Sequence, residues 1–299
     1  MSLPIKQHIV PKTYLKHFSS RDNNIWLFQK DTKHFREQSI SKVPIIKDFY
    51  TVTDQEKGEK LYDFELFLAK DIEPHYQPYI EHLKERKSLE GLMKQHFGYY
   101  VSSQKLRTVG MKDKIIKEIE EAFKHKKAGE WFDKTSIKQF TQDFYVGGKE
   151  ITYEEFLEKS EGKLDEVSMD ISKDCFVQFL PEKMVEYGET LASQNWSYLI
   201  APKGRYFITS DNPVILDTEI DDSSFPFEGG FFPLTTQLAL NINSTEERFR
   251  TIGAKEVRKV NQQIVKHADR FIFSHDERFL KNNIRKYYEP APEVVSRGD

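Results

Sequence analysis

His8 precedes Pro11 in a segment whose residue types and spacing can support chemistry. Pro11 fits the first turn of a helix predicted over residues 7–18, with Tyr14 on its apolar face. Backbone N–H groups point outward at a helix start, so His8 can act there as a general base, a metal ligand or an anion contact. The alternative is a histidine that caps the helix or packs on Tyr14.

A second polar group follows an apolar strand late in the chain. Ser210, Asp211 and Asn212 come directly after Phe207-Ile208-Thr209, and Pro213 then fixes a turn. A rigid strand aims the polar groups at its end, which is a common geometry in binding and catalytic sites. The alternative is an Asx-turn, in which Asp211 and Asn212 bond their own backbone.

These two segments carry a resemblance to an uncharacterised bacterial family of domains of unknown function. Its members open with His-x-x-Pro-x-x-Tyr-Leu-x-x-Phe and carry a late Phe-Ile-Thr-Ser-Asp-x-Pro-Val strand, which match residues 8–18 and 207–214 here. Weaker matches lie at residues 71–73, 104–108, 232–235, 238–240 and 260–261. The resemblance covers nearly the whole chain and implies no established activity, so it indicates where a site lies and not which reaction it performs.

The polar residues within the matched stretches predict a metal-dependent hydrolase. Asp211 and Glu73 are expected to hold a divalent cation, magnesium or manganese, because carboxylate oxygens are the ligands these ions prefer. His8 completes the catalytic set as a general base or ligand. Arg107, Ser210 and Asn212 are expected to contact a phosphate-containing substrate, which makes the predicted activity nuclease-like.

The alternative interpretation is a non-enzymatic binding or interaction module. Glu73 and Arg107 would then form part of a buried ion-pair network that joins the helical middle of the chain to the sheet. Such a polar cluster is structural, or it binds a small anionic ligand. The residue types alone do not separate the two interpretations.

An α+β fold is predicted to position these residues, with a mixed or antiparallel sheet built from both chain ends. Residues 1–60 and 196–290 are expected to form the sheet-containing core, residues 61–195 a helical insertion, and residues 291–299 a loose tail. Within the insertion, helical periodicity predicts one segment that is kinked or broken at Pro74 and Pro78 and another that is kinked or broken at Pro181. Thr152 is predicted to cap a helix, with Glu155 as its capping-box partner.

Composition narrows the functional classes. The net charge of −3 gives no overall basic field for nucleic acid or anionic membranes, so nucleic acid would have to bind a local patch.

Cys175 is the one cysteine and is expected to be a buried, inert thiol. Phosphate-binding-loop, dinucleotide-binding and zinc-protease motifs are absent from the sequence. No apolar run has the length of a membrane span, and the expected location is the cytoplasm.

Overall fold

The computed structural model describes residues 6–43, 45–53, 60–124, 145–146, 149–150, 164–220, 227, 229–245 and 248–288. The expected tail at 291–299, the expected cap at Thr152 and the side chain of Cys175 lie outside this description.

The described part of the chain contains strands at both ends and helices in the middle. The strands are β1 (Lys6–His8), β2 (Asn24–Gln29), β3 (His34–Ser39), β4 (Ile45–Lys47), β5 (Val52–Thr53), β6 (Lys60–Leu61), β7 (Tyr145–Val146), β8 (Lys149–Glu150), β9 (Trp196–Ile200), β10 (Thr209–Ser210), β11 (Phe231–Pro233), β12 (Leu238–Ile242), β13 (Phe249–Thr251) and β14 (Phe271–Ser274). The α-helices are α1 (Lys12–Leu15), α2 (Asp63–Phe67), α3 (Tyr76–Lys84), α4 (Gly91–Leu106), α5 (Val109–Lys124), α6 (Leu164–Ser193), α7 (Ala254–His267) and α8 (Glu277–Tyr287).

One four-stranded sheet joins the two ends of the chain. Its strand order is β10-β14-β2-β3, with antiparallel neighbours throughout. The pairing of β14 with β2 places Ile272 opposite Phe28 and Phe273 opposite Leu27. All four of these side chains are buried, so the pairing is held by apolar packing as well as by the hydrogen bonds of the ladder. The expected α+β fold with a sheet built from both chain ends is confirmed.

A second four-stranded sheet is formed by C-terminal strands alone. Its order is β11-β12-β9-β13, and β13 runs parallel to β9 while the other pairs are antiparallel. Every residue of β12 is buried, which fits a central strand covered on both faces. The buried apolar residues of both sheets and of α4 belong to one cluster, so a single core supports the sheets and the helical middle.

Helices α4 and α6 pack closely through two glycines. A Cβ atom added at Gly98 would meet the carbonyl oxygen of Gly188, and one added at Gly188 would meet the ring and backbone of Tyr99. The close approach fixes α4, whose C-terminal end carries Lys105 and Arg107. Of the kink or break expected at Pro181, the break does not occur, because α6 continues through the proline to Ser193. Buried side chains on both sides of the proline anchor the helix in the core and offset the lost backbone hydrogen bond.

The expected helix over residues 7–18 is also shorter than its pattern indicated. Residues 6–8 form β1, which pairs with β4, and the helix starts only after Pro11. The broken helix around Pro74 is confirmed: α2 passes into a π-helical turn at Leu68–Ile72 and a 3₁₀ turn at Glu73–His75 before α3 begins. Pro78 does not break the helix, because it lies in the first turn of α3, where a proline is tolerated. No helix in the described residues is both long and apolar enough to cross a membrane.

Candidate functional site

Arg107 lies at the C-terminal end of α4 and is almost completely buried, with 1% of its surface exposed. Its Nε donates to the carbonyl oxygen of Ile9 at 3.1 Å, and Nη2 donates to that of His8 at 2.7 Å. Nη1 donates to Glu73 Oε1 at 2.9 Å. The guanidinium therefore ties the end of β1 to the turn that carries Glu73. We call His8, Glu65, Glu73, Tyr100 and Arg107 the Arg107 cluster.

Two carboxyl groups of this cluster, those of Glu65 and Glu73, lie near the same guanidinium in different environments. Glu73 is paired with Arg107, and 20% of its side chain is exposed. Glu65 lies in α2, and burial raises its pKa to about 7, with Arg107 opposing and Glu73 adding to the rise. Its Oε2 is buried and has no hydrogen-bond partner among the described residues. The π-helical turn between them inserts an extra residue into the helical repeat and changes the direction in which Glu73 points relative to Glu65.

His8 is the last residue of β1 and is half-buried. Its Nδ1 lies 2.9 Å from the carbonyl oxygen of Val43, so Nδ1 carries the proton and Nε2 keeps its lone pair. Burial lowers the pKa of His8 to about 4, and the charges of Lys12 and Arg107 add to this effect. The imidazole is thus neutral at pH 7 and can accept a proton or a hydrogen bond at Nε2.

Two buried hydroxyl groups in the same region lie beside each other. The Thr13 hydroxyl contacts the Tyr100 phenol, and neither oxygen forms a well-aligned hydrogen bond with any other described group. Glu73, Arg107 and Thr13 are all close enough to Tyr100 to influence its phenol, whose pKa burial raises. Buried polar atoms without partners are uncommon in proteins and call for an explanation such as strain, a water molecule or a ligand.

Asp211 follows β10 and holds the turn that precedes β14. Its carboxylate accepts hydrogen bonds from the backbone N–H groups of Asp269 at 3.0 Å, Arg270 at 2.8 Å and Phe271 at 3.1 Å. Asp211 is 1% exposed. Burial and the neighbouring Asp269 carboxyl raise the pKa of Asp211 to about 7, and the N–H donors oppose this rise. The carboxylate mainly serves a backbone distant in sequence, and its own N–H group adds a smaller contribution.

Asn212 connects this turn to the end of α4. Its Nδ2 donates to the carbonyl oxygen of His267 at 3.1 Å and contacts Asp269 Oδ1 at 3.4 Å, while Oδ1 accepts from Lys105 Nζ at 3.4 Å. Lys105 also bonds both carboxylate oxygens of Glu219 at 2.7 Å. The Ser210 hydroxyl donates to the Asn212 carbonyl oxygen at 2.9 Å. We call Lys105, Ser210, Asp211, Asn212 and Asp269 the Asp211 cluster.

The sequence-predicted residues thus fall into two groups with different partners. His8, Glu73 and Arg107 are joined by hydrogen bonds in the Arg107 cluster. Ser210, Asp211 and Asn212 have their partners in the Asp211 cluster, and in the described residues no hydrogen bond or ion pair connects Asp211 to His8 or to Glu73. Lys105 and Arg107 both lie at the C-terminal end of α4. Lys105 belongs to the Asp211 cluster, and Arg107 belongs to the Arg107 cluster.

The expected metal ligands Asp211 and Glu73 belong to different clusters in the described residues. Within the part of the chain that the structure describes, no group of three or more His, Cys, Asp or Glu side chains is placed to hold a metal ion. Both carboxylate oxygens of Asp211 already accept backbone N–H groups of residues 269–271, and the Asp269 carboxyl lies near them. The structure therefore brings Glu73 and His8 together without giving them Asp211 as a third ligand.

Sequence reasoning missed Glu65, Lys105 and Asp269. Glu65 stood on the polar side of an amphipathic helix, where a solvated carboxylate is the ordinary expectation. The one available signal was the interruption of that helix near Pro74, since irregular turns often accompany functional sites. Asp269 offered no local signal, because its partner Gly110 N–H comes from the start of α5.

Comparison with known proteins gives a family and no activity. A family model described as "Protein of unknown function (DUF4238)" matches residues 6–278, which include both clusters. No curated protein matches the chain, and no solved structure does. The chain belongs to the DUF4238 family of proteins of unknown function.

Proposed function

We propose that this chain is a hydrolase acting on a phosphate-containing substrate, with the Arg107 cluster as its acid–base centre. One observation carries the proposal. Glu65 and Glu73 share a buried guanidinium, and Glu73 is paired with it while Glu65 keeps an oxygen without a partner. Burial keeps the Glu65 carboxyl protonated to a higher pH than usual, so Glu65 can serve as an acid beside the ion pair of Glu73 with Arg107.

The proton transfers follow from the groups present. Glu65, with a pKa of about 7, is still substantially protonated at neutral pH and donates its proton to the leaving oxygen of the substrate. His8 is neutral and accepts a proton at Nε2 from the attacking water. The water oxygen forms a bond to phosphorus as the bond to the leaving oxygen breaks. Solvent then returns the proton from His8 to Glu65 for the next turnover.

Positive charge near His8 favours an anionic substrate. Lys12 is exposed at the start of α1, and both Lys12 and Arg107 act on the His8 imidazole. Arg107 has five N–H bonds, three of which serve Ile9, His8 and Glu73. In this proposal Arg107 positions Glu73 and the end of β1, and Lys12 supplies the accessible cation. Ser210, Asp211 and Asn212 hold the fold around α4, and no step is routed through a metal ion.

Hydrolysis of chromogenic phosphate esters tests the proposal. Purified protein is assayed with p-nitrophenyl phosphate and bis-p-nitrophenyl phosphate, with and without magnesium or manganese. We expect turnover that Glu65→Gln lowers at least about 100-fold, the usual contribution of a general acid. Glu37→Gln serves as the matched control, because Glu37 is exposed on β3.

Equal rates for the wild type and Glu65→Gln would contradict the acid role. No turnover of either ester by the wild type would favour the alternative function, a non-enzymatic module in which the Arg107 cluster is structural. The three hydrogen bonds of Arg107 to buried partners are the observation that supports this alternative.

A further inference from the structure

A recess of about 200 Å³ lies on one face of the sheet formed by β10, β14, β2 and β3. Leu27 of β2 pairs with Arg36 of β3 and with Phe273 of β14, so these three side chains share a face of the sheet. Residues two apart on a strand point to the same side, which adds Gln38 and Phe271 to that face. Leu27, Arg36, Gln38 and Phe271 all line the recess, which we call the Arg36 pocket.

The floor of the Arg36 pocket is apolar. Leu27 and Val43 are almost completely buried, and Ile46 and Phe271 are partly buried against the core. Apolar groups keep water away from one side of the pocket, so charges at its rim interact more strongly than they would in bulk water. The floor also offers contact area to an apolar part of a ligand.

Positive charge surrounds this floor. Arg36, Lys42 and Arg270 line the pocket, and its described lining includes no Asp or Glu. The side chains of Arg36 and Lys42 are exposed, and neither forms a hydrogen bond or an ion pair within the described part of the chain. Both cations are therefore available to a ligand.

Arg270 is held on the same face of the sheet by an aromatic ring. Its guanidinium carbon lies 5.5 Å from the centre of the Phe271 ring, and Phe271 belongs to the face that carries Arg36. Arg270 Nη2 donates to Asp31 Oδ2 at 3.2 Å, and both side chains of this ion pair are about half exposed. A guanidinium has five N–H bonds, so the single bond to Asp31 leaves donors for a ligand.

Gln38 keeps Lys42 beside the end of β3. The Gln38 Nε2 donates to the carbonyl oxygen of Lys42 at 3.5 Å, and Gln38 lies on the same face of the strand as Arg36. The sheet and the turn that follows it thus gather three cations around one recess. Like charges in such an arrangement repel one another, and an anion bound between them relieves the repulsion.

We propose that the Arg36 pocket binds a small phosphate monoester. A phosphate monoester carries a charge of about −1.5 to −2 at pH 7, which three neighbouring cations suit better than the single charge of a carboxylate. Guanidinium groups match the geometry of phosphate oxygens, and lysine contributes a point charge. The organic part of the ester lies on the apolar floor. The site does not depend on the proposed hydrolase, because the pocket lining and the Arg107 cluster share no residue.

Isothermal titration calorimetry of the intact chain with phenylphosphonate tests the site. This probe keeps the anionic group of a monoester, and its phosphorus–carbon bond is not hydrolysed, so the result is separate from any esterase activity. The double variant Arg36→Gln/Lys42→Gln is expected to weaken binding at least about tenfold, because it removes two charge-assisted contacts. Methylphosphonate is expected to bind the wild type severalfold more weakly than phenylphosphonate, because it covers less of the apolar floor.

Two single variants serve as controls for charge. Lys33→Gln removes a cation that is exposed on the turn between β2 and β3 but does not line the pocket, so its affinity should equal that of the wild type. Lys12→Gln removes the accessible cation of the acid–base centre, which is a neighbouring site because Val43 lines the pocket and accepts a hydrogen bond from His8. Lys12→Gln should retain the binding that the double variant loses.

Three outcomes would overturn the proposal. The first is no binding of phenylphosphonate by the wild type, and the second is a loss confined to Lys12→Gln, which would place the probe at the acid–base centre. The third is a loss in Lys33→Gln as large as in the double variant, which would reduce the effect to general attraction between charges. Equal affinities for the two phosphonates would overturn the assignment of an organic ester as the ligand.

Discussion

Replacing Glu65 by Gln should stabilise the protein at alkaline pH. Burial raises the pKa of Glu65 from its ordinary 4.5 to about 7, so ionising it in the folded state is unfavourable. The associated stability is fully present below pH 4.5 and is lost as the pH rises to about 7. At about 1.4 kcal/mol for each pKa unit, the loss above pH 7 amounts to about 3 kcal/mol.

Glutamine carries no charge at any pH and therefore avoids this loss. We expect Glu65→Gln to exceed the wild type in free energy of unfolding by about 3 kcal/mol at pH 8 and by about 1 kcal/mol at pH 5. Urea denaturation followed by tryptophan fluorescence measures both values. Asp211 also titrates in this range, but it is present in both proteins and cancels from the difference.

Glu37→Gln provides the control, since its carboxylate is exposed on β3. Its unfolding free energy should follow that of the wild type at both pH values. A gain for Glu65→Gln that is the same at pH 5 and pH 8 would refute the reasoning, because it would mean that Glu65 titrates alike in the folded and unfolded chains.

Arg107→Met should lower the free energy of unfolding by about 3–5 kcal/mol in urea denaturation, because it leaves Glu73 without its counter-charge. Arg107→Lys should lower the free energy of unfolding by less, because it keeps the positive charge. Equal decreases for the two variants would show that the charge at this position does not contribute to stability. Gly188→Ala should lower the stability by about 1–3 kcal/mol, since the new methyl group meets Tyr99 where α4 and α6 cross. An unchanged melting temperature for Gly188→Ala would contradict this close packing.

The pairing of the two chain ends could be predicted because it depends on pattern. Short apolar runs flanked by turn residues occur before residue 40 and after residue 196, and helical periodicity fills the region between them. Such a layout leaves the end strands to pair with one another. The continuation of α6 through Pro181 could not be predicted, since packing against α4 and not local propensity decides it.

Part of the candidate site could also be predicted from residue types in the sequence. The pair formed by Glu73 and Arg107 follows from residue type, because buried charges need partners. The partners of Asp211 are backbone N–H groups of residues 269–271, which no property of the Ser210-Asp211-Asn212 segment indicates. Glu65 is buried by its position in the fold, and sequence periodicity places it on a solvated face.

The pH dependence of kcat/KM for phosphate-ester hydrolysis tests the acid–base centre most directly. The proposed activity requires protonated Glu65 and neutral His8, so kcat/KM should fall above about pH 7 and below about pH 4. Glu65→Gln should lose the alkaline limb together with most of the rate. A rate that continues to rise above pH 7 in the wild type would contradict the assignment of Glu65 as the proton donor.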